Sequence, residues 1–145
     1  MSWEKTRSAS VRFGAGASAA VLTAAAILYA PIGLGTQSPT EMAVRTHLFF
    51  AVVLASAAGM WIVTIGPRAN AARLVSATTA GFNCIWIFSF VGLPVVVASA
   101  VAISVSVVGV PRRWAIAMVA LAIAAFVLGL VVLRLTEPPG EHIFG

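Results

Sequence analysis

The sequence has 145 residues, of which 61% are hydrophobic and only 9% are charged. A water-soluble domain usually has about a quarter of its residues charged, so this composition excludes a soluble globule and indicates that lipid surrounds most of the surface. The net charge of +5 does not indicate a nucleic-acid partner, because the basic residues stand singly or in pairs between apolar runs instead of clustering with aromatic residues.

Stretches without charged residues divide the chain into candidate membrane crossings. A helix needs roughly 20 apolar residues to cross about 30 Å of hydrocarbon. The uncharged stretches 13–40, 46–67 and 114–133 each fit one such crossing. The stretch 74–111 contains 38 residues and would form a helix of roughly 57 Å, which a tilt of up to about 40° does not accommodate. This stretch therefore predicts two helices.

Glycine and proline residues indicate where the helices end. Gly92 and Pro94 lie near the middle of the long stretch, and proline is tolerated in the first turn of a helix but poorly in its interior. Similar breaks occur at 31–35, 66–67 and 109–111. We predict an all-α, polytopic transmembrane bundle of five helices, with four as the alternative if the third and fourth form one kinked helix or re-enter from one side. The predicted elements are a single domain at 1–145, helices at about 12–34, 42–65, 72–91, 94–110 and 113–134, and an extended tail at 135–145.

Lysine and arginine residues predict the orientation, because short cytoplasmic loops carry an excess of them. With five crossings and a cytoplasmic N-terminus, only Arg45 and Arg134 face outward. With four crossings, Arg112 and Arg113 would move outside and the bias would nearly vanish, so we expect five crossings. The basic residues then placed on the cytoplasmic side are Lys5, Arg7, Arg12, Arg68, Arg73, Arg112 and Arg113.

Ionisable side chains are scarce within the predicted helices. The sequence contains no aspartate, and its four glutamates lie near helix ends or in loops. An enzyme or an ion-driven pump inside a membrane usually needs an ionisable group at depth. The sequence also has no metalloprotease, phosphate-binding or nucleophile-elbow motif. We therefore expect no enzyme, no catalytic residue, no metal site and no cofactor in this chain.

Two histidines are the best candidates for a cofactor ligand. His47 lies at the outer end of the second predicted helix, and His142 lies in the tail on the same side of the membrane. Imidazole is a common ligand of haem and transition metals. Because no motif spacing links the two residues, we expect His47 to lie at the interface in contact with water or lipid headgroups.

Two further pairs of residues are candidates for polar contacts. Asn83 and Thr79 belong to the third predicted helix, where they line a polar path or form an interhelical hydrogen bond; we expect the hydrogen bond for Asn83. Arg112 and Arg113 precede the last helix, where they bind anionic lipid headgroups on the inner leaflet or set the topology, and both roles are compatible.

Small residues recur at four-residue spacing, as in Ala77 with Gly81 and Ala125 with Gly129. Such pairs let helices pack closely in lipid. Together with the missing ionisable core, they favour a non-catalytic accessory or assembly subunit of a larger membrane complex, packed in the bilayer against a membrane-protein partner or a copy of itself. The alternatives are a small transporter or channel acting as an oligomer, and a haem- or quinone-linked redox subunit.

The composition also favours a particular membrane. Alanine, valine and arginine are abundant and lysine is nearly absent, as in GC-rich bacteria. The expected location is therefore the bacterial plasma (inner) membrane, which the chain crosses several times.

Overall fold

The computed structural model describes residues 2–34, 40–88 and 92–135. Within these ranges the chain is an all-α bundle of five helices, which confirms the predicted fold class. The predicted tail lies outside the described ranges, apart from the residue that ends the last helix. The elements are α1 (Ser2–Leu34), α2 (Thr40–Ile65), α3 (Asn70–Asn83) with a 3-10 continuation (Cys84–Phe88), α4 (Leu93–Val107) and α5 (Arg112–Leu135).

The helix limits match the prediction closely for α2 and α5 and differ at three other places. α1 begins at Ser2 instead of residue 12, because a charged segment without glycine or proline extends the helix beyond the apolar stretch. α3 ends at Asn83, where the tighter 3-10 geometry replaces the α-helix. α4 ends at Val107, two residues before Gly109 adopts a φ of 79°, a conformation that glycine reaches at no steric cost.

The break between α3 and α4 lies where the sequence predicts it. Gly92 caps the N-terminus of α4, and Pro94 lies in its first turn. A Cβ atom on Gly92 would lie 2.6 Å from the Cβ of Trp86, so glycine is needed for the chain to pass this side chain. α3 and α4 are therefore two separate helices.

Three helices are long and apolar enough to cross a membrane, over Arg7–Leu28, His47–Ile65 and Arg112–Leu135. The chain is thus a membrane protein. α3 and α4 have 14 and 15 residues, or about 21 and 22 Å of helix, which is less than the hydrocarbon thickness of about 30 Å. The 3-10 continuation extends α3 by about 10 Å. Full crossings by α3 and α4 stay a prediction.

The first four helices form a ring, and the fifth packs on its outside. α1 contacts α2 and α4, whereas α3 contacts α2, α4 and α5. We call the end at which α1, α3 and α5 begin the basic end, because most of the arginines lie there. The core near this end combines residues of all four ring helices, among them Ala15, Met60, Ala80 and Ala102. The core nearer the other end is aromatic, with Phe49 against Phe82 and Trp86.

Close backbone approaches join α3 to its neighbours through glycines. A Cβ on Gly81 would lie 2.6 Å from the Cα of Ala122 on α5. One on Gly129 would lie 2.8 Å from Cγ2 of Ile85, and one on Gly59 would overlap Ser76. These small residues therefore pack helices of the same chain against one another.

Candidate functional site

The contact between α3 and α4 brings polar side chains of both helices into the interior. The helices run antiparallel, since Arg73 near the start of α3 donates to the carbonyl of Val108 at the end of α4, at 2.6 Å. Further along, Ala80 and Ala102 belong to the same core cluster. Asn83 on α3 and Ser99 on α4 are buried further from the basic end. We call this set of buried residues the polar seam: Arg73, Ser76, Asn83, Ser99 and Ser106.

Helical periodicity explains why these residues face inward together. In α3, positions 73, 76, 80 and 83 follow the spacing of one helix face, and positions 99, 102 and 106 do so in α4. Hydroxyl groups on other faces are satisfied within their own helix instead. The exposed Ser104, for example, donates to the carbonyl of Ala100 at 2.8 Å. The polar seam is therefore a continuous inward face and not a sample of scattered polar residues.

Two hydroxyl groups of the polar seam have hydrogen-bond partners. Ser76 donates to the carbonyl of Ser56 on α2 at 3.2 Å, and this bond ties α3 to the adjacent helix. Ser106 donates to the carbonyl of Ala102 at 2.7 Å, one turn back on its own helix. The lower half of the seam, towards the basic end, is thus largely satisfied.

The upper half is not satisfied by the residues that the structure describes. Asn83 and Ser99 are both 0% exposed, and neither amide atom of Asn83 nor the hydroxyl of Ser99 has a hydrogen-bond partner there. A buried polar group without a partner costs roughly 1–3 kcal/mol, and hydrocarbon offers no water to reduce that cost. A leucine at position 83 would fill similar space without it. The Asn83 amide therefore has hydrogen-bonding capacity that no described residue uses.

Arg73 occupies the basic end of the polar seam. Its side chain is 5% exposed and reaches past Ser106 to the last carbonyls of α4, where a helix carries partial negative charge. Its Nε atom has no hydrogen-bond partner within the described ranges. Arg7 approaches the same corner, since a Cβ on Gly109 would lie 3.4 Å from its guanidinium. Two positive charges therefore lie close together at this end.

The structure separates the other residues that the sequence singles out. His47 lies exposed on α2, whereas His142 falls outside the described residues. Thr79 is half-buried and donates to the carbonyl of Val75 at 2.7 Å, within its own helix. Arg112 and Arg113 lie exposed at the start of α5, towards the basic end. Of these candidates, only Asn83 belongs to the polar seam.

Sequence reasoning missed four of the five members of the seam: Arg73, Ser76, Ser99 and Ser106. Ser99 lies beside Ala98, Ala102 and Ser106, small residues at four-residue spacing that by themselves indicate close packing. Its spacing of seven residues from Ser106 was the available signal, because residues seven apart lie on one helix face. Arg73 was interpreted only as a topology determinant. Nothing in the sequence indicates that it is buried against the end of α4.

The chemistry available in the polar seam is neutral hydrogen bonding with one fixed positive charge. An amide offers two donors and two acceptor sites, and a hydroxyl offers both functions. Within the described ranges no group of three histidine, cysteine or acidic side chains comes together that could hold a metal ion. The seam thus offers hydrogen-bond donors and acceptors at Asn83 and Ser99 and a positive charge at Arg73.

Comparisons with known proteins add no assignment. No protein-family model matches the sequence, and no curated protein or solved structure matches it either.

Proposed function

We propose that this chain binds a small uncharged polar solute in the polar seam and passes it across the membrane. The observation that carries this proposal is the fully buried Asn83 amide, whose two polar atoms have no partner among the described residues. Polar groups inside a membrane are expensive and commonly mark the path of a substrate. The sequence suggested a path formed by an oligomer, whereas the seam lies within one chain.

The short helices on either side of the seam support the same proposal. α3 and α4 are the two shortest helices of the described bundle, and a 3-10 segment and Gly92 interrupt the chain between them. Short and discontinuous helices lie at the binding sites of many transporters. The break at Gly92 leaves α3 and α4 as separate short helices, whose relative movement would open the seam at Asn83.

Solute flux into proteoliposomes tests the proposal. Stopped-flow light scattering would follow the entry of glycerol and of urea into vesicles with purified protein and into protein-free vesicles. We expect faster entry of at least one solute with the wild-type chain, loss of the difference with Asn83→Leu, and a reduced difference with Ser99→Ala.

Ser104→Ala is the matched control for these variants. It removes the same group from the same helix as Ser99→Ala, but on the exposed face. Its flux should equal that of the wild type. Equal entry rates for wild-type and protein-free vesicles with both solutes would contradict the proposal.

The location and orientation belong to the same proposal. A multi-pass position in a bacterial plasma membrane with a cytoplasmic N-terminus puts the basic end inside, in agreement with the excess of arginine in cytoplasmic loops. Labelling of a cysteine introduced at Arg68 by a membrane-impermeant maleimide would test this orientation. In intact cells of a Cys84→Ser variant, we expect no labelling until the membrane is opened.

A second candidate is the role of accessory or assembly subunit. Exposed alanines at four-residue spacing support it: Ala20 with Ala24 on α1, and Ala120 with Ala124 on α5. Such stripes let a further helix approach closely in lipid. Native purification followed by mass spectrometry would show stoichiometric partner proteins if this role holds, and a stable, partner-free monomer would contradict it.

The haem-linked alternative can be tested on the same purified sample. His47 is exposed and His142 lies outside the described residues, so no described geometry supports this role. A Soret band in the visible spectrum would support it, and a colourless protein would exclude it.

A further inference from the structure

Arg73 is the one charged side chain that is buried in the described interior. It lies at the basic end of the polar seam, on the same face of α3 as Ser76 and Asn83. Under the proposed function, a solute moving along the seam between Asn83 and the basic end passes its guanidinium. The charge of an arginine is permanent at physiological pH, so this point of the seam is always positive.

None of the described hydrogen-bond partners of Arg73 neutralises its charge. Its described hydrogen bonds go to backbone carbonyls: to Val108 at 2.6 Å and, more weakly, to Ser106 at 3.5 Å. Carbonyl oxygens carry only partial charge, and no carboxylate is among these partners. Arg7 adds a second positive charge near Gly109. Because the interior has a low effective dielectric constant, the buried charge of Arg73 acts more strongly there than it would in water.

We infer that Arg73 determines the charge selectivity of the polar seam, excluding cations and protons while uncharged polar solutes pass. A fixed arginine in a narrow polar path acts in this way because it repels every cation that enters. The inference rests on the proposed function, since it names the class of solute that the seam admits. The competing explanation is that Arg73 only caps the carbonyls at the end of α4.

Three variants separate selectivity from capping. Arg73→Gln keeps a hydrogen-bond donor near the carbonyls but removes the charge, whereas Arg73→Lys keeps the charge on a different donor. Arg68→Gln is the matched control, because Arg68 is an exposed arginine at the same end of the bundle. Size-exclusion chromatography and a thermal melt in detergent would establish that each variant is folded.

The measured quantity is the ratio of cation permeability to glycerol permeability in proteoliposomes. Proton entry would be followed with an internal pH-sensitive dye under a valinomycin-imposed potassium potential, and sodium entry with a sodium-sensitive dye. We expect wild-type vesicles to be as tight to both cations as protein-free vesicles. Arg73→Gln should raise the ratio by at least about tenfold, whereas Arg73→Lys and Arg68→Gln should leave it near the wild-type value.

The outcomes distinguish the inference from the proposed function. A cation leak through the wild-type protein would overturn the inference even if Arg73→Gln failed to fold. A folded Arg73→Gln protein that stays tight to cations while the wild type passes glycerol would also overturn it, and the proposed function would stand. A leak through Arg73→Gln without entry of glycerol or urea through the wild type would support the charge barrier and overturn the proposed function. If the wild type passes neither glycerol nor urea and Arg73→Gln passes no cations, both fail.

Discussion

Two faces of α3 pack against the rest of the bundle in opposite ways, one through glycine and the other through polar side chains. The face towards α5 is closed by glycine, with Gly81 against the backbone of Ala122. The inward face of the same helix instead buries polar side chains, among them Ser76 and Asn83, and Ser76 bonds to α2. Close contact between apolar surfaces is the usual basis of helix association in membranes, and the first face shows that this chain can achieve it.

The comparison indicates that the contact between α3 and α5 contributes to stability alone. The glycine face gains close van der Waals contact and buries no polar side chain at Gly81 or Ala122. In the polar seam, by contrast, the buried Asn83 amide has no partner among the described residues, and this lowers the free energy of unfolding. A helix that needed only to pack could use apolar residues on both faces, and the proposed solute site gives the polar face a further role.

The largest expected effect comes from filling the glycine face. Gly81→Val places a side chain against the Ala122 backbone, which cannot move aside as a flexible side chain would. We expect a loss of roughly 1–3 kcal/mol in the free energy of unfolding, or separation of α5 from the bundle. Thermal unfolding in detergent would measure it. Gly16→Ala is the control, because its added Cβ would lie 3.7 Å from Thr64, an ordinary contact; equal melting of the two variants would show that the α3–α5 approach is not tight.

Asn83→Leu should have an effect of similar size and opposite sign. Removing a buried, unpartnered amide should raise the free energy of unfolding by roughly 1–3 kcal/mol, while solute entry into proteoliposomes is lost. The same melt and the flux assay measure the two effects on one protein. A lower free energy of unfolding together with lost solute entry would mean that the amide stabilises the fold. The proposed difference between the two faces of α3 would then be wrong.

A pair of serine variants gives a smaller and more specific contrast. Ser18 on α1 donates to the carbonyl of Ala98 on α4 at 2.7 Å, whereas the adjacent Ser99 has no partner among the described residues. Ser18→Ala should cost about 0.6 kcal/mol, the average for such bonds in membranes. Ser99→Ala should be neutral or stabilising. If Ser99→Ala were the more destabilising change, its hydroxyl would have a structural partner and would not belong to the solute site.

The smallest effect is expected at Thr79. Its hydroxyl bonds within α3, so Thr79→Val should change the free energy of unfolding by less than about 0.5 kcal/mol and should leave solute entry unchanged. The melt and the flux assay measure both quantities. A loss of solute entry would show that the solute path also includes the face of α3 that carries Thr79.

The sequence predicted the helices well because lipid imposes a simple rule on length and polarity. The uncharged stretch at 74–111 is too long for one crossing, and Gly92 marks its break within a residue of the observed start of α4. The uncharged stretches give the length of the apolar part of a helix and not the length of the whole helix. The prediction therefore left out the charged first turns of α1, which begins at Ser2.

The candidate site was only partly predictable for a different physical reason. Asn83 attracts notice as an amide within an apolar run, because such residues are rare in membranes. That its amide and the Ser99 hydroxyl are fully buried without a described partner depends on how the helices pack together. The sequence of one helix does not contain that information, so this property becomes visible only in the packed bundle.

The most direct test of the account is an NMR measurement on the asparagine side chains in nanodiscs. Selective ¹⁵N labelling of asparagine gives two side-chain amides, since the sequence contains only Asn70 and Asn83. Asn70 is exposed at the start of α3 and serves as the internal reference, and the Asn83→Leu spectrum assigns the other signal. We expect the Asn83 signal to shift saturably as the solute that permeates the vesicles is added, while the Asn70 signal stays in place. An Asn83 signal unchanged throughout the titration would contradict the claim that the polar seam is a solute site.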